Sequence, residues 1–297
     1  MRIGLCLAGA LVILLAGTAA SAANGKTFDR EVPAQPNGVV EISNVSGSIE
    51  VSGWDRSEVS VHAELMGGVE GVEVSSEGGH TGIKVRQPAF YGHGGARLQV
   101  KIPKGSELNV SAVSAEVRSS GVLGVQRLNS VSGNITTEIA GADVELKTVS
   151  GSVQVKGHGQ AARLRASTVS GDVHLEHIGG DIEAGTVNGE LITSLDGARS
   201  VRAHTTSGDL RLDGTLARGA TLEASSISGD LTVHASAEGG FEYEVSSFSG
   251  DISDCFNATP EHTKYGPGTH LNGTRGDGAG HVRLKTMSGD VQLCDRH

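Results

Sequence analysis

Thr168-Val169-Ser170-Gly171-Asp172-Val173-His174-Leu175 decides how this chain is read, because variants of it return along most of its length. Val131-Ser132-Gly133-Asn134-Ile135, Val149-Ser150-Gly151-Ser152-Val153 and Val187-Asn188-Gly189-Glu190-Leu191 surround it. Thr206-Ser207-Gly208-Asp209-Leu210, Ile227-Ser228-Gly229-Asp230-Leu231, Phe248-Ser249-Gly250-Asp251-Ile252 and Met287-Ser288-Gly289-Asp290-Val291 follow it. Two earlier copies are Val45-Ser46-Gly47-Ser48-Ile49 and a degenerate Val113-Ser114-Ala115-Glu116-Val117. From position 115 onward the central residues are 18, 18, 20, 18, 19, 21, 21 and then 39 residues apart. A short period held this closely indicates units that stack on one another.

The residues flanking each central Gly keep register as well. Seven and five positions before it stand Val144 and Leu146, Leu164 and Ala166, Ile182 and Ala184, Val201 and Ala203. Two and four positions after it stand Val153 and Val155, Val173 and Leu175, Leu210 and Leu212. Each set has the period of two of a strand with one buried face. The step from minus five to the apolar residue at minus two is odd, so a corner is expected near minus three. Thr148, Thr168, Thr186, Thr205 and Thr286 stand there, and such side chains bond local backbone at corners.

Two short strands cannot bury their apolar face alone. Parallel stacking at ~4.8 Å solves this by laying like residues over like. The expected fold is all-β: a single-stranded parallel β-solenoid, or β-helix, with coils of ~19 residues. A propeller of hairpins is the rival, but its blades need about 40 residues each.

Residues 58–102 break the period and alternate instead, as in Glu58-Val59-Ser60-Val61-His62-Ala63-Glu64. They read as antiparallel strands capping the raw edge of the stack. The expected division is an export signal over 1–22, N-terminal strands and cap over 24–105, and solenoid repeats over 106–297. A Gly- and Pro-rich stretch at about 256–280 reads as a loop insertion.

Arg2, the apolar run Ile3–Gly17 and the small residues Ala20-Ser21-Ala22 form the expected signal. Ala23 stands where a lipoprotein would need Cys, and no span is expected once the signal is cleaved. The formal charge of −10 disfavours nucleic acid and anionic lipid. With 44 Gly and only five Phe, three Tyr and one Trp, the core is expected to be long and narrow.

Cys255 and Cys294 both stand five residues after their Gly, in one coil register. On adjacent coils their Cα atoms would fall within the ~4.4–6.8 Å that a disulfide spans. A bridge is therefore expected in an oxidising compartment. Asp209, Asp230 and Asp251 follow their Gly residues on coils expected to be consecutive, where stacked carboxylates would repel. Calcium would relieve that repulsion. Outward solvation, or a bond from the local turn, would do so without any metal, and no metal or other cofactor is assigned. His174 and His177, three apart on a strand, point to opposite faces. Arg275-Gly276-Asp277 spells an integrin-binding tripeptide inside a Gly-rich segment where it arises readily by chance. No nucleophile elbow, phosphate loop or metalloprotease helix occurs, and no catalytic residue is assigned.

The run Glu41-Ile42-Ser43-Asn44-Val45-Ser46-Gly47-Ser48-Ile49-Glu50-Val51-Ser52-Gly53-Trp54-Asp55 and the later Ser-Gly-Asp turns resemble a bacterial envelope family labelled as adhesins, or β-strand-repeat proteins, of unknown function. The resemblance covers nearly the whole chain beyond the signal and implies a β-solenoid at or outside the cell membrane. The expected function is that of an exported, non-enzymatic, adhesin-like scaffold in periplasm, at the cell surface or outside. Its partner would be a glycan, a cell-envelope component or a protein. A carbohydrate-active β-helix enzyme would need convergent carboxylates in a cleft, and a structural or regulatory envelope protein would need no small ligand.

Overall fold

The computed structural model describes residues 26–87, 94–262 and 268–295. The signal expected over 1–22 lies outside them. Every regular element among the described residues is a strand, and the 22 strands join in one hydrogen-bonded sheet.

The two inward patterns become two ladders. Val144 pairs in parallel with Leu164, Leu164 with Ile182, Ile182 with Val201, and Val201 with Leu222. Ile135, Val153, Val173, Leu191, Leu210 and Leu231 form the second ladder in the same way. All of these side chains are buried. Each unit is a rung, named below by its central residue. One rung buries only a handful of side chains, so its stability comes from its neighbours.

The central Gly sets how closely rungs approach. A Cβ on Gly171 would lie 2.2 Å from the Gly151 carbonyl oxygen, on Gly208 2.0 Å from that of Gly189, and on Gly133 2.0 Å from that of Ala115. Gly133, Gly151 and Gly171 do not have positive φ, so close approach, rather than a left-handed backbone, is what excludes a side chain there.

The corner differs from expectation. The residue at minus three does not turn the chain; it continues the inward alternation and is buried at Thr148, Thr168, Thr186 and Thr286. On five rungs its hydroxyl donates to the carbonyl of the Gly one rung away, as Thr168 to Gly151 at 2.9 Å, Thr186 to Gly171 at 2.9 Å and Ser247 to Gly289 at 3.1 Å, whereas the buried Ser130, Thr205 and Ser226 hydroxyls lack that bond. The chain turns one residue later, and the apolar residue at minus two points outward.

Rungs stack in sequence order from Ala115 to Gly229 and depart from it at both ends. Gly280–Ser288 pairs in parallel with Leu210–Ser228 on one edge and with Gly240–Ser249 on the other. The Gly289 rung therefore sits between Gly229 and Gly250. The assumption that units succeed one another directly fails here, and the step of 39 residues is the detour that allows it. The stretch read as a loop at 256–280 contains Thr269–Gly276, an antiparallel strand covering the outer edge of Gly240–Ser249. Cys255 and Cys294 are bonded between these two adjacent rungs, with Cα atoms 4.9 Å apart. By chain entropy, closing that 39-residue separation contributes roughly 4 kcal/mol.

At the other end the outer edge of Val39–Trp54 carries two parallel strands, His80–Arg86 and Gly95–Pro103. The antiparallel strands expected in direct contact lie one layer further out: Glu58–Met66 on Gly95–Pro103, and Gly71–Glu77 on His80–Arg86. Lys26–Pro33 closes that end on Glu58–Met66. Both ends of the stack are covered by antiparallel strands, which blunts their edges.

Gly171→Ala should destabilise the chain by about 2–3 kcal/mol, because its methyl meets backbone that cannot move independently. Gly71→Ala, with nothing within 4 Å of the new methyl, should shift stability by less than about 0.5 kcal/mol. Denaturant melts of the two variants decide it; equal shifts would mean that rung spacing is not set at the Gly column.

Candidate binding surface

Outward positions form columns as regular as the inward ones. At minus two stand, in stacking order, Val45, Val113, Val131, Val149, Val169, Val187, Thr206, Ile227, Met287 and Phe248. The apolar members are 39–55 % exposed. Beside them runs an exposed ladder of Ser, with Asn188 on one rung. No charged residue occupies minus three to zero on any of the ten rungs.

The residue after each Gly is acidic on six successive rungs: Asp172, Glu190, Asp209, Asp230, Asp290 and Asp251. Carboxylate repulsion is offset by backbone amides. The Asp172 carboxylate accepts from the Glu190 N–H at 2.9 Å, and that of Asp209 accepts from the Asp230 N–H at 3.0 Å. The Asp230 carboxylate accepts from the Asp290 N–H and that of Asp290 from the Asp251 N–H, both at 2.8 Å. Asn134 serves the Ser152 N–H in the same way at 2.9 Å. Asn134, Asp172, Asp209, Asp230 and Asp290 thus clamp the neighbouring rung, a role that sequence reading confined to the local turn. Of the calcium candidates, Asp209 and Asp230 stand on neighbouring rungs, while Asp290 separates Asp230 from Asp251. Among the described residues, no three His, Cys, Asp or Glu side chains converge as a metal cage would require.

Six positions before the Gly, the charge alternates rung by rung: Arg127, Glu145, Arg165, Glu183, Arg202, Glu223, Arg283, Glu244. Arg165 meets Glu183 at 3.0 Å, Arg202 meets Glu223 at 3.4 Å and Arg283 meets Glu244 at 2.7 Å. A hydrogen bond from Lys147, with burial opposing it and Arg165 and Arg127 assisting, holds the Glu145 carboxyl below its ordinary value. Had the rungs stacked in sequence order, Glu223 would face Glu244. The intercalated Arg283 removes that conflict.

An open depression of about 700 Å³ runs across the outward face of Leu210–Ser228, Gly280–Ser288, Gly240–Ser249 and the detour strand Thr269–Gly276. Glu223, Glu242, Glu244, His281 and Arg283 line it, with His281 3.6 Å from Glu242. Tyr243 forms its floor opposite Gly273, where any Cβ would fall 2.3 Å from the phenol oxygen. Burial, together with the Asp254 carboxylate 3.4 Å away, raises the Tyr243 pKa above its ordinary value and keeps the phenol protonated.

Other marked residues are absorbed by structure. Arg275 bonds Asp295 at 2.7 Å and stacks 5.3 Å over Phe256, while Asp277 pairs with Arg218 at 2.9 Å. The Arg-Gly-Asp tripeptide is thereby tied down at a strand end. His174 lies on Val173–Asn188, and His177 occupies a left-handed irregularity within that strand, with φ 53°.

The family model described as Toastrack DUF4097 matches residues 39–294. No curated protein sequence matches the chain. Among solved structures, a "putative adhesin" from Parabacteroides merdae shares 10% identity, with 92% of this chain and 98% of that chain covered and a TM-score of 0.49. A "putative lipid binding protein" from Parabacteroides distasonis shares 14% identity, with 91% and 97% covered and a TM-score of 0.47. A "putative cell adhesion protein" from Clostridium sporogenes shares 7%, with 92% and 100% covered and a TM-score of 0.28.

Two substitutions check how the columns hold the surface. Asp290→Ala should cost about 1–2 kcal/mol by leaving the Asp251 amide unserved, whereas Asp290→Asn keeps an acceptor oxygen and should be close to neutral. Arg283→Glu would line up three carboxylates and should cost about 1–2 kcal/mol, a loss that added salt partly restores. Thermal melts with and without salt measure both effects.

Proposed function

The chain belongs to the Toastrack DUF4097 family, and from that premise we propose that it is an exported, non-enzymatic binding scaffold of the cell envelope or cell surface. In this reading its architecture is a single-stranded parallel β-solenoid with coils of about 19 residues. The observation that carries the proposal is the recurrence of the same outward positions on ten rungs, with charged and neutral columns side by side. Such a surface offers a long partner many equivalent weak contacts at ~4.8 Å intervals. Affinity then accumulates with the number of rungs engaged. An extended glycan, another envelope polymer or an extended protein segment fits that geometry.

One observation favours a carbohydrate-active enzyme as a second reading: Glu242, Glu244 and Arg283 share the open depression at the detour strand. Its acidic groups are engaged across rungs, Glu244 by Arg283 and Glu223 by Arg202. Carboxylates held as ion pairs serve binding better than proton transfer, which needs a group poised near its working pH.

The purified chain without residues 1–22 should co-sediment with insoluble envelope material. Reversing the charged column at Arg165, Glu183 and Arg202 together should reduce retention several-fold if that face carries the contact. Absence of retention by every envelope fraction would remove the scaffold reading. Polysaccharide turnover lost in Glu242→Gln and Glu244→Gln would install the enzymatic one.

A further inference from the structure

We infer that the described residues of 240–295 form one end unit, which opens from the stack as a single body along the seam between the Gly229 and Gly289 rungs. The inference does not rest on the scaffold reading; it concerns how the covered end is held.

Strand pairing defines the unit. Gly240–Ser249 has its ladders with Gly280–Ser288 and with the cover strand Thr269–Gly276, and Ile252–Asp254 has its ladder with Val291–Cys294. Of these segments, Gly280–Ser288 and Val291–Cys294 alone also pair with the body of the stack. Among the described residues the Gly250 rung therefore has no ladder of its own to the body. The chain crosses to it at 238–240, where Gly239 and Gly240 have φ of 83° and 80°.

Side chains divide in the same way. Within the unit Arg275 pairs with Asp295, His281 with Glu242 and Arg283 with Glu244. On the body side Glu223 pairs back with Arg202, and His234 with Asp213. Arg218–Asp277, an exposed pair, crosses the seam. The cluster of Phe241, Tyr243 and Phe256 is internal to the unit, and so is the Cys255–Cys294 bridge. The bridge thus binds the outermost rung to its neighbour and leaves the seam without a cross-link.

The seam is held on two sides of the coil instead of three. Thr221–Ser228 pairs across it with His281–Ser288, and Leu231–His234 with Val291–Cys294. On the third side of the body, Leu195 pairs with Gly214 and Gly214 with Ala235. No ladder continues from Ala235–Ala237 into the described residues of the unit, because the pairing of Val291–Cys294 stops at His234. An open depression of about 690 Å³ stands there, between Ser236 and Ala237 on one side and Phe241, Arg275 and Asp295 on the other. The Thr286 hydroxyl reaches the Gly229 carbonyl across the seam at 3.4 Å, against 3.1 Å for Ser247 to Gly289 inside the unit.

A stack opens where coupling between neighbours is weakest, and what lies beyond that point opens with it. Releasing the Gly289 rung here releases the Gly250 rung as well. Opening bares Thr221–Ser228 and Leu231–His234, unpaired edges of the kind that take up an extended strand.

Hydrogen exchange of the chain without residues 1–22, followed by mass spectrometry in rising denaturant, tests this. Gly240–Ser249, Thr269–Gly276 and Gly280–Ser288 should lose protection together, about tenfold faster than residues 200–207. Ser225 and Lys285 are exposed neighbours across the seam. A disulfide between Ser225→Cys and Lys285→Cys should slow exchange in all three segments about tenfold. The wild-type exchange decides even where that staple does not form. Loss of protection in Gly240–Ser249 and Thr269–Gly276 before Gly280–Ser288 would mean fraying rung by rung and would overturn the proposal. Exchange of all three segments only in step with residues 200–207, or at an unchanged rate in the stapled chain, would overturn it equally.

Discussion

Everything in this molecule depends on how closely one rung's backbone approaches the next at the central Gly. A methyl group at Gly171 or Gly208 would lie about 2 Å from a carbonyl oxygen, so contact is reached without any side chain between the rungs. That approach brings the minus-three hydroxyl within reach of the neighbouring Gly carbonyl, as in Thr168 to Gly151. It also brings the carboxylate after the Gly within reach of the next amide, as in Asp290 to Asp251. Thr, Ser, Gly and Asp in the repeat are therefore one device. Thr seals the inside of the turn, Gly sets the spacing and Asp seals the outside.

The same spacing explains why the outward columns must be patterned. Identical charges stacked at rung distance repel, and two solutions appear side by side. Six positions before the Gly, sign alternates between Arg and Glu. One position after it, the sign is constant, but each carboxylate accepts a backbone N–H on most rungs. A charged side chain at minus two would have neither solution, because that position faces outward with no amide beside it. A column of Val and its larger relatives avoids the conflict at the cost of exposed apolar surface.

How much of this was legible in the sequence follows from what periodicity can encode. The period, the two inward patterns and the disulfide register are local or additive properties, and the structure has them at Val144–Leu146, Val153–Val155 and Cys255–Cys294. The direction of the minus-two residue was misjudged, because an apolar side chain at a turn is not thereby buried. The signal that settles it is the buried Thr at minus three, which keeps the inward alternation one step longer than expected. The intercalated order was hidden for a different reason, since spacing along the chain does not determine which edges pair. It was nonetheless written in the charges: Glu223 and Glu244 cannot be neighbours without cost, and Arg283 is the residue that separates them. At the other end, the parallel contacts of His80–Arg86 and Gly95–Pro103 with Val39–Trp54 left no comparable mark in the sequence.

The intercalation also alters what the end of the stack must withstand. Were Gly280–Cys294 the outermost segment, one of its edges would be open. Placed one rung inward, it is paired on both edges, and peeling it away breaks ladders with Leu210–Ser228 and Gly240–Ser249 at once. The rung left outermost, Gly250, is continuous with the body of the chain and carries its own cover strand, Thr269–Gly276. Phe241, Tyr243 and Phe256 cluster beneath that cover with ring centroids 5.5–6.3 Å apart. This end is therefore where a chain poor in aromatic residues places an aromatic cluster, and the bridge between Cys255 and Cys294 joins the same two rungs. A repeat stack transmits stability only between neighbours, so its weakest point is whichever end has the fewest. Exchanging the order of the last two rungs pairs Gly280–Ser288 on both edges and leaves the outermost position to a rung with its own cover strand.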